Sequence, residues 1–134
     1  MASLTNRKCI PCDADVTKGD IAPIVRSVEQ SGGNISPLPK EKIAEFMKQV
    51  SGWQLSEENN VPRIKKRFKF KDFKEAVSFV NKVAALAESE GHHPNIFIYY
   101  NKVDIELYTH AIKGLHDNDF IMAAKIDSLQ DSKL

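Results

Sequence analysis

Three of the four histidines in this chain fall in two short motifs, Glu88-Ser89-Glu90-Gly91-His92-His93-Pro94 and Thr109-His110. Imidazole is the side chain whose ordinary pKa, about 6.5, lets it give or take a proton near neutral pH. Three imidazoles with acidic neighbours point to proton transfer on a small molecule. They can act together only if the fold brings residues 92–93 and 110 to one place.

The elements around them follow from hydrophobic spacing. Asp72, with Glu75 three positions on, opens a helix in the manner of a capping box. Phe73, Ala76, Val77, Val80, Val83, Ala84 and Ala87 give it one apolar stripe. Gly91 suits the left-handed residue that closes such a helix, and Pro94 forces His93 toward an extended backbone. The histidine pair thus sits where helix becomes strand. Ile96 to Tyr100, the turn pair Asn101-Lys102 and Val103 to Thr109 then read as a hairpin. With that turn, Tyr100 pairs with Val103, Ile98 with Ile105 and Ile96 with Leu107, all on one apolar face. The same register places His93 directly across from His110, on the face of Tyr99, Asp104, Glu106 and Tyr108. Opposed Cβ atoms lie about 5 Å apart, so the two rings can face one ligand, with His92 reaching in from the helix end.

Upstream, Ile43, Phe46, Met47 and Val50 predict a helix from about Pro39 to Val50. Trp53 to Ser56 reads as a short strand and Glu57 to Asn60 as a turn. Ile64 to Phe70 alternates, with Ile64, Phe68 and Phe70 inward and the basic row Lys65, Arg67 and Lys69 outward as a solvated face. A last helix is expected from about Asp117 to Leu129, with Phe120, Ala123, Ala124 and Ile126 inward. His116, just before it, reads as structural or simply exposed. The order helix-strand-strand-helix-strand-strand-helix predicts an α+β fold, a four-stranded antiparallel sheet with three helices on one face.

At 134 residues, 42% hydrophobic and 28% charged, the chain is an ordinary globular protein with one catalytic domain, expected over residues 39–134. Residues 1–38 lack a sustained period and read as a partly disordered arm, with a short helix around Ile21 to Gln30 and turn residues at Ser31 to Asn34. A net charge of +1 offers no field for a polyanion, so nucleic acid is not an expected partner. No apolar run approaches the roughly 20 residues of a membrane helix, and no membrane partner is expected. The N-terminus has no apolar signal core, so a cytoplasmic location is the simplest reading, although removal of a presequence would leave the same chain. Cys9 and Cys12 form a lone Cys-x-x-Cys without a second ligand pair, read as two reduced thiols in a loosely held arm.

Three chemistries fit the histidines. Metal-free acid/base catalysis could dehydrate a carbinolamine: the departing hydroxyl takes a proton while a nearby nitrogen loses one, and an imidazolium beside a neutral imidazole supplies both transfers. A three-histidine zinc site with an open position for water is the second. Adjacent side chains of an extended stretch point to opposite faces, which works against it. The third is an oligomeric binding module, or one regulating a partner, whose exposed sheet edge and helix faces do the work.

The run Glu88-x-x-x-His92-His93-Pro94, followed by Tyr100-Asn101-Lys102-Val103, Thr109-His110, Gly114-Leu115 and Asp119-Phe120, resembles the pterin-4a-carbinolamine dehydratases. The resemblance spans roughly Pro39 to Asp127, and Ala87 to Pro94 looks most like the plant and protist branch. It implies a 4a-hydroxytetrahydropterin substrate, left when aromatic amino-acid hydroxylases oxidise tetrahydrobiopterin, a quinonoid dihydropterin product, and no cofactor or metal. The family's three active-site histidines fall on His92, His93 and His110, its glutamate on Glu88 and its aspartate on Asp119. Substrate contacts from backbone groups are further implied near His92 to Pro94 and Thr109 to Ile112, which takes in Pro94, Thr109, Ala111 and Ile112. The family implies a homo-oligomer, dimer or tetramer. Some animal members also bind a homeodomain transcription factor, an interface that no residue here identifies. Gly91 and Ile96 stand where animal members have an acidic residue and a tryptophan, and Asp13 to Asn34 has no placed counterpart.

Overall fold

Strict alternation along one strand organises the sheet. In the computed structural model, which describes residues 4–10 and 36–131, strand β2 runs from Val61 to Lys69. Its Ile64 and Phe68 are buried, and Lys65, Arg67 and Lys69 face solvent. The elements follow in the order α1 (Lys40–Met47), β1 (Gln54–Glu58), β2, α2 (Phe73–Glu90), β3 (Asn95–Tyr99), β4 (Lys102–Leu107) and α3 (Asp117–Asp131). The four strands make one antiparallel sheet in the spatial order β1-β2-β4-β3. The helices pack on the face of Ile64, Phe68, Val103 and Ile105. This is the expected α+β arrangement of three helices and four strands. No helix of the described residues is long and apolar enough to cross a membrane.

The β3–β4 hairpin differs from its expected register. It turns at Tyr100-Asn101, so Tyr99 pairs with Lys102, Ile98 with Val103 and Ile96 with Ile105. Leu107 lies opposite Ile64 of β2. The cause is Asn101, which is held to the end of β2. Its carbonyl accepts from the Phe70 N–H at 2.8 Å, and its Nδ2 donates to the Phe70 carbonyl at 3.1 Å. Tyr100 absorbs the turn in the left-handed region, with φ 52°. The register shift is two residues, an even number, so every side chain keeps its face although its partner changes.

Helix α2 starts as its sequence dictates: Asp72 Oδ1 accepts from the Glu75 N–H at 2.9 Å. Its buried row is Ala76, Phe79, Val83 and Ala87. Phe79, absent from the expected stripe, meets Phe68 and Phe70 with ring centroids 4.8 and 5.0 Å away. Phe73, expected inward, is 52% exposed. At 100° per residue, positions 73, 77, 80 and 84 form a separate row about a quarter turn round the helix. The expected stripe had merged the two rows.

Helix α3 buries Phe120, Ile121, Met122 and Ala123 in succession, and Ile126 a turn later. A helix covered on all sides is a core helix, and it shows little amphipathic period. Phe46 of α1 stacks on Phe120 at 5.0 Å. Trp53, buried just before β1, donates its indole N–H to Asp127 at 3.1 Å. The first residues also dock here: Leu4 is buried, and Arg7 pairs with Asp117 at 2.7 Å. The Asn118 side chain clasps Ile10 at both backbone groups, accepting from its N–H at 2.9 Å and donating to its carbonyl at 2.6 Å. Cys9 donates its thiol to the Asn118 carbonyl at 3.6 Å, so it is tied down instead of loosely held. Cys12, the short helix expected around Ile21 to Gln30 and the turn at Ser31 to Asn34 lie outside the described residues.

Candidate active site

Gly91 ends α2 in the left-handed region with φ 66°, and its N–H returns to the Ala87 carbonyl. The next two residues leave the helix extended, so their side chains diverge. His92 turns inward and is buried. Its Nε2 lies 2.7 Å from Asp119 Oδ1 at the start of α3. His93 turns outward and is exposed, with its Nε2 2.7 Å from Glu88 Oε1 on α2. Each imidazole of the pair therefore has a carboxylate of its own.

Asp119 is fully buried and its other oxygen is also engaged. Oδ2 accepts from the Thr109 hydroxyl at 2.8 Å and from the His116 N–H at 2.9 Å. His116 Nδ1 in turn accepts from the Asn118 N–H at 3.2 Å. Residues 116 and 119 thus form a reciprocal cap on α3, with histidine and aspartate in the usual Ser/Thr and Glu places. Of the two expectations for His116, structural or simply exposed, the half-buried cap bears out the first. Burial lowers its pKa and nearby His92 and Arg7 add to that, against the opposing pull of Asp117 and Asp119. The side-chain oxygens of Asp119 and of Thr109 are thus committed inside the protein, and Asp119 stands behind His92.

His110 begins a 3-10 turn, His110–Ile112. The turn is closed by Lys113 at φ 50° and by Thr109 bonded to Gly114 on either side, N–H to carbonyl at 2.8 and 3.4 Å. The turn lifts His110 toward His93. Continued past Asn95, the observed register would set His93 opposite Tyr108, so the expected direct His93–His110 pairing is replaced by convergence from a strand end and a turn. All three imidazoles line one open cleft of about 270 Å³ together with Pro94, Asn95, Tyr108, Thr109 and Ala111. Glu88 stands outside it beside His93. Ile112 lies in the same turn without lining the cleft.

Asn95 was missed in the sequence; the alternation that put Tyr108 on the histidine face could have put Asn95 there too. The cap at His116 was legible as a His-x-x-Asp spacing. A larger hollow of about 560 Å³ lies on the uncovered sheet face, among Lys65, Arg67, Tyr99, Asp104 and Glu106. Its charges are already matched: Arg67 grips Asp104 at 2.6 and 2.9 Å and holds that carboxyl below its ordinary range. It contains no histidine among its lining residues. Among the described residues no three His, Cys, Asp or Glu side chains are grouped to hold a metal ion.

The family model for pterin 4 alpha carbinolamine dehydratase matches residues 36–129. The chain belongs to this family. A Halorhodospira halophila protein named "Putative pterin-4-alpha-carbinolamine dehydratase" is 37% identical over 127 residues, covering 95% of this chain and 97% of its own. That span takes in the stretch from Asp13 to Asn34. A solved Brucella melitensis structure, described as a transcriptional coactivator/pterin dehydratase, is 35% identical with TM-score 0.64, covering 70% of this chain and 98% of its own. A second, a pterin dehydratase-like protein identified as a RuBisCO assembly factor in the alpha-carboxysome, is 30% identical with TM-score 0.52, over 61% and 93% of the two chains. As a member of the dehydratase family, the chain carries its His-His-Pro and Thr-His motifs on the two walls of one cleft.

Proposed function

We propose that the cleft dehydrates a 4a-hydroxytetrahydropterin to the quinonoid dihydropterin, as a step of tetrahydrobiopterin recycling. The observation that carries this reading is the convergence of His92, His93 and His110, two of them paired with carboxylates, in one open cleft. The reaction breaks the C4a–O bond. One imidazolium protonates the departing hydroxyl, which leaves as water, and one neutral imidazole takes the proton from the adjacent ring nitrogen. Net proton count is unchanged, so no cofactor is required. Asp119 and Glu88 hold His92 and His93 in place through their Nε2 contacts at 2.7 Å each.

The test is turnover of freshly prepared 4a-hydroxytetrahydropterin by metal-stripped protein. Dehydration that is indifferent to a chelator supports the reading. A folded protein without turnover overturns it, and turnover restored only by zinc would favour the metal alternative.

A binding role beside catalysis has one feature in its favour. β3 is an edge strand with Phe97, Ile98 and Tyr99 exposed by 45%, 41% and 52%. An open edge of this kind invites pairing, and we propose that it is covered in a homo-oligomer. Sedimentation showing only monomer at micromolar concentration would overturn that assembly.

A further inference from the structure

We infer that Tyr108 is a positioning residue for His110, held in turn by the buried Arg63–Glu106 pair. The inference rests on the dehydratase reading of the cleft. Proton transfer requires the acid or base to be held within about 0.5 Å of its working position. His92 and His93 meet that need through carboxylates. His110 is exposed in a 3-10 turn, and neither of its ring nitrogens bonds a protein group among the described residues. An exposed side chain with no restraint changes rotamer within nanoseconds. What His110 has is the Tyr108 ring, with centroids 4.3 Å apart and planes inclined by 46°.

The tyrosine is itself fixed. The Arg63 guanidinium carbon lies 4.3 Å from its ring centroid, a cation–π contact. Arg63 is only 7% exposed. It donates to Glu106 Oε1 at 2.9 Å, to the Glu58 carbonyl at 3.3 Å and to the Val61 carbonyl at 3.4 Å, so its plane has little freedom. Glu106 also accepts from Asn95 at 2.9 Å and pairs with Lys65 at 3.2 Å. Burial pushes the Glu106 carboxyl up, but the bonds from Asn95, Lys65 and Arg63 outweigh it and leave the group below its ordinary range. A charge fixed on the sheet thus steadies an aromatic ring, and that ring steadies the cleft imidazole that has no carboxylate.

The experiment compares Tyr108→Leu and Tyr108→Phe with the wild type, alone and combined with His110→Ala. Turnover is measured, and NMR relaxation of the His110 ring in the ligand-free protein reads its order. Tyr108→Leu should lower kcat about three- to tenfold, the population an aromatic pair of ordinary strength holds in place, with KM little changed. The His110 ring order parameter should fall below about 0.6 while the backbone spectrum elsewhere is retained. Tyr108→Phe keeps the ring and should retain the wild-type order of the His110 ring. In the His110→Ala background Tyr108→Leu should have no further effect on kcat. Unchanged ring order in Tyr108→Leu overturns the inference. So does a rise in KM alone, which would assign the ring to ligand stacking, and so does full additivity with His110→Ala. A wild type without turnover would instead overturn the dehydratase reading, and the ring-order measurement would still decide whether Tyr108 holds His110.

Discussion

Replacing Asp119 by asparagine isolates what the buried carboxylate does for His92. A carboxylate only accepts, so His92 presents Nε2–H to Oδ1, and the proton of the neutral ring sits on that nitrogen. Oδ2 faces two donors, the Thr109 hydroxyl and the His116 N–H. In Asp119→Asn the surviving oxygen must stay there, since an amide NH2 in that place would orphan both. The amide nitrogen then faces His92 as a donor, and the imidazole must accept at Nε2 and carry its proton on Nδ1. The fold should survive: exchanging a charged hydrogen bond of about 1.5–3 kcal/mol for a neutral one of about 0.5–1.5 costs about 1–2 kcal/mol. The typical total is about 5–15 kcal/mol. Asp119→Ala, which strips the partner from all three donors, should cost about 3–5 kcal/mol, as removal of one member of a buried pair does. Turnover of Asp119→Asn should fall about 10²- to 10⁴-fold, the range of a misplaced acid/base group. The assays are pterin dehydration, thermal melting and long-range ¹H–¹⁵N NMR of the imidazole. Activity within threefold of wild type with an inverted tautomer would refute a proton-transfer role for His92. An unchanged tautomer would refute the hydrogen-bond reasoning itself.

Truncating His93 or His110 to alanine should each lower turnover about 10²- to 10⁴-fold, and the double variant should lose less than the product of the two; a silent His110→Ala would remove that residue from the chemistry. His116→Asn should keep the α3 cap at pH 7.5 and flatten the fall of melting temperature toward pH 5.5. The native His116 pKa is depressed, so its contribution to stability is complete above about 6.5 and is lost as pH falls below it; an unchanged pH profile would show that another group titrates. Asn118→Ala should cost about 1–3 kcal/mol through the lost clasp on Ile10, with kcat within about threefold, and melts read beside the dehydration assay check both numbers. Deleting residues 1–35 should likewise lower the melting temperature and spare turnover, whereas a loss of activity with the fold intact would tie the arm to the site.

Much of the fold was legible because its signals are local. Asp72, Gly91 and Pro94 mark the ends of α2 and the start of the extended segment with specific backbone chemistry. The alternation of β2 needs no tertiary knowledge. The hairpin register was not legible, because Asn101 takes its place from a long-range bond to Phe70 that no turn rule contains. Parity protected the conclusion: with every partner displaced by two, His93 still emerges beside Tyr108 and close to His110. The apolar row of α2 was blurred because valines and alanines occupy two neighbouring rows, and packing against Phe68 and Phe70 selects one. His116 stayed undecided between structural and exposed because only the bond its ring accepts from the Asn118 N–H settles the choice. For the site, motif spacing located the histidines, but the partner of each is a tertiary fact. Only Glu88, within one element of His93, could be inferred nearby.

The reach from His92 to Asp119 also has a meaning in time. The two are 27 residues apart. At a synthesis rate of about 5–20 residues per second, roughly one to five seconds pass between the appearance of the imidazole and that of the carboxylate that orients it. Arg7 waits longer for Asp117, across 110 residues, or about 5–20 seconds. A nascent chain therefore holds its histidine pair, and the bare docking face of Leu4, well before either has a partner. The last helix made is the one that closes the core, seats the first residues and sets the tautomer at the cleft. A chain cut short before α3 would keep all four histidines and lose the carboxylate that orients His92.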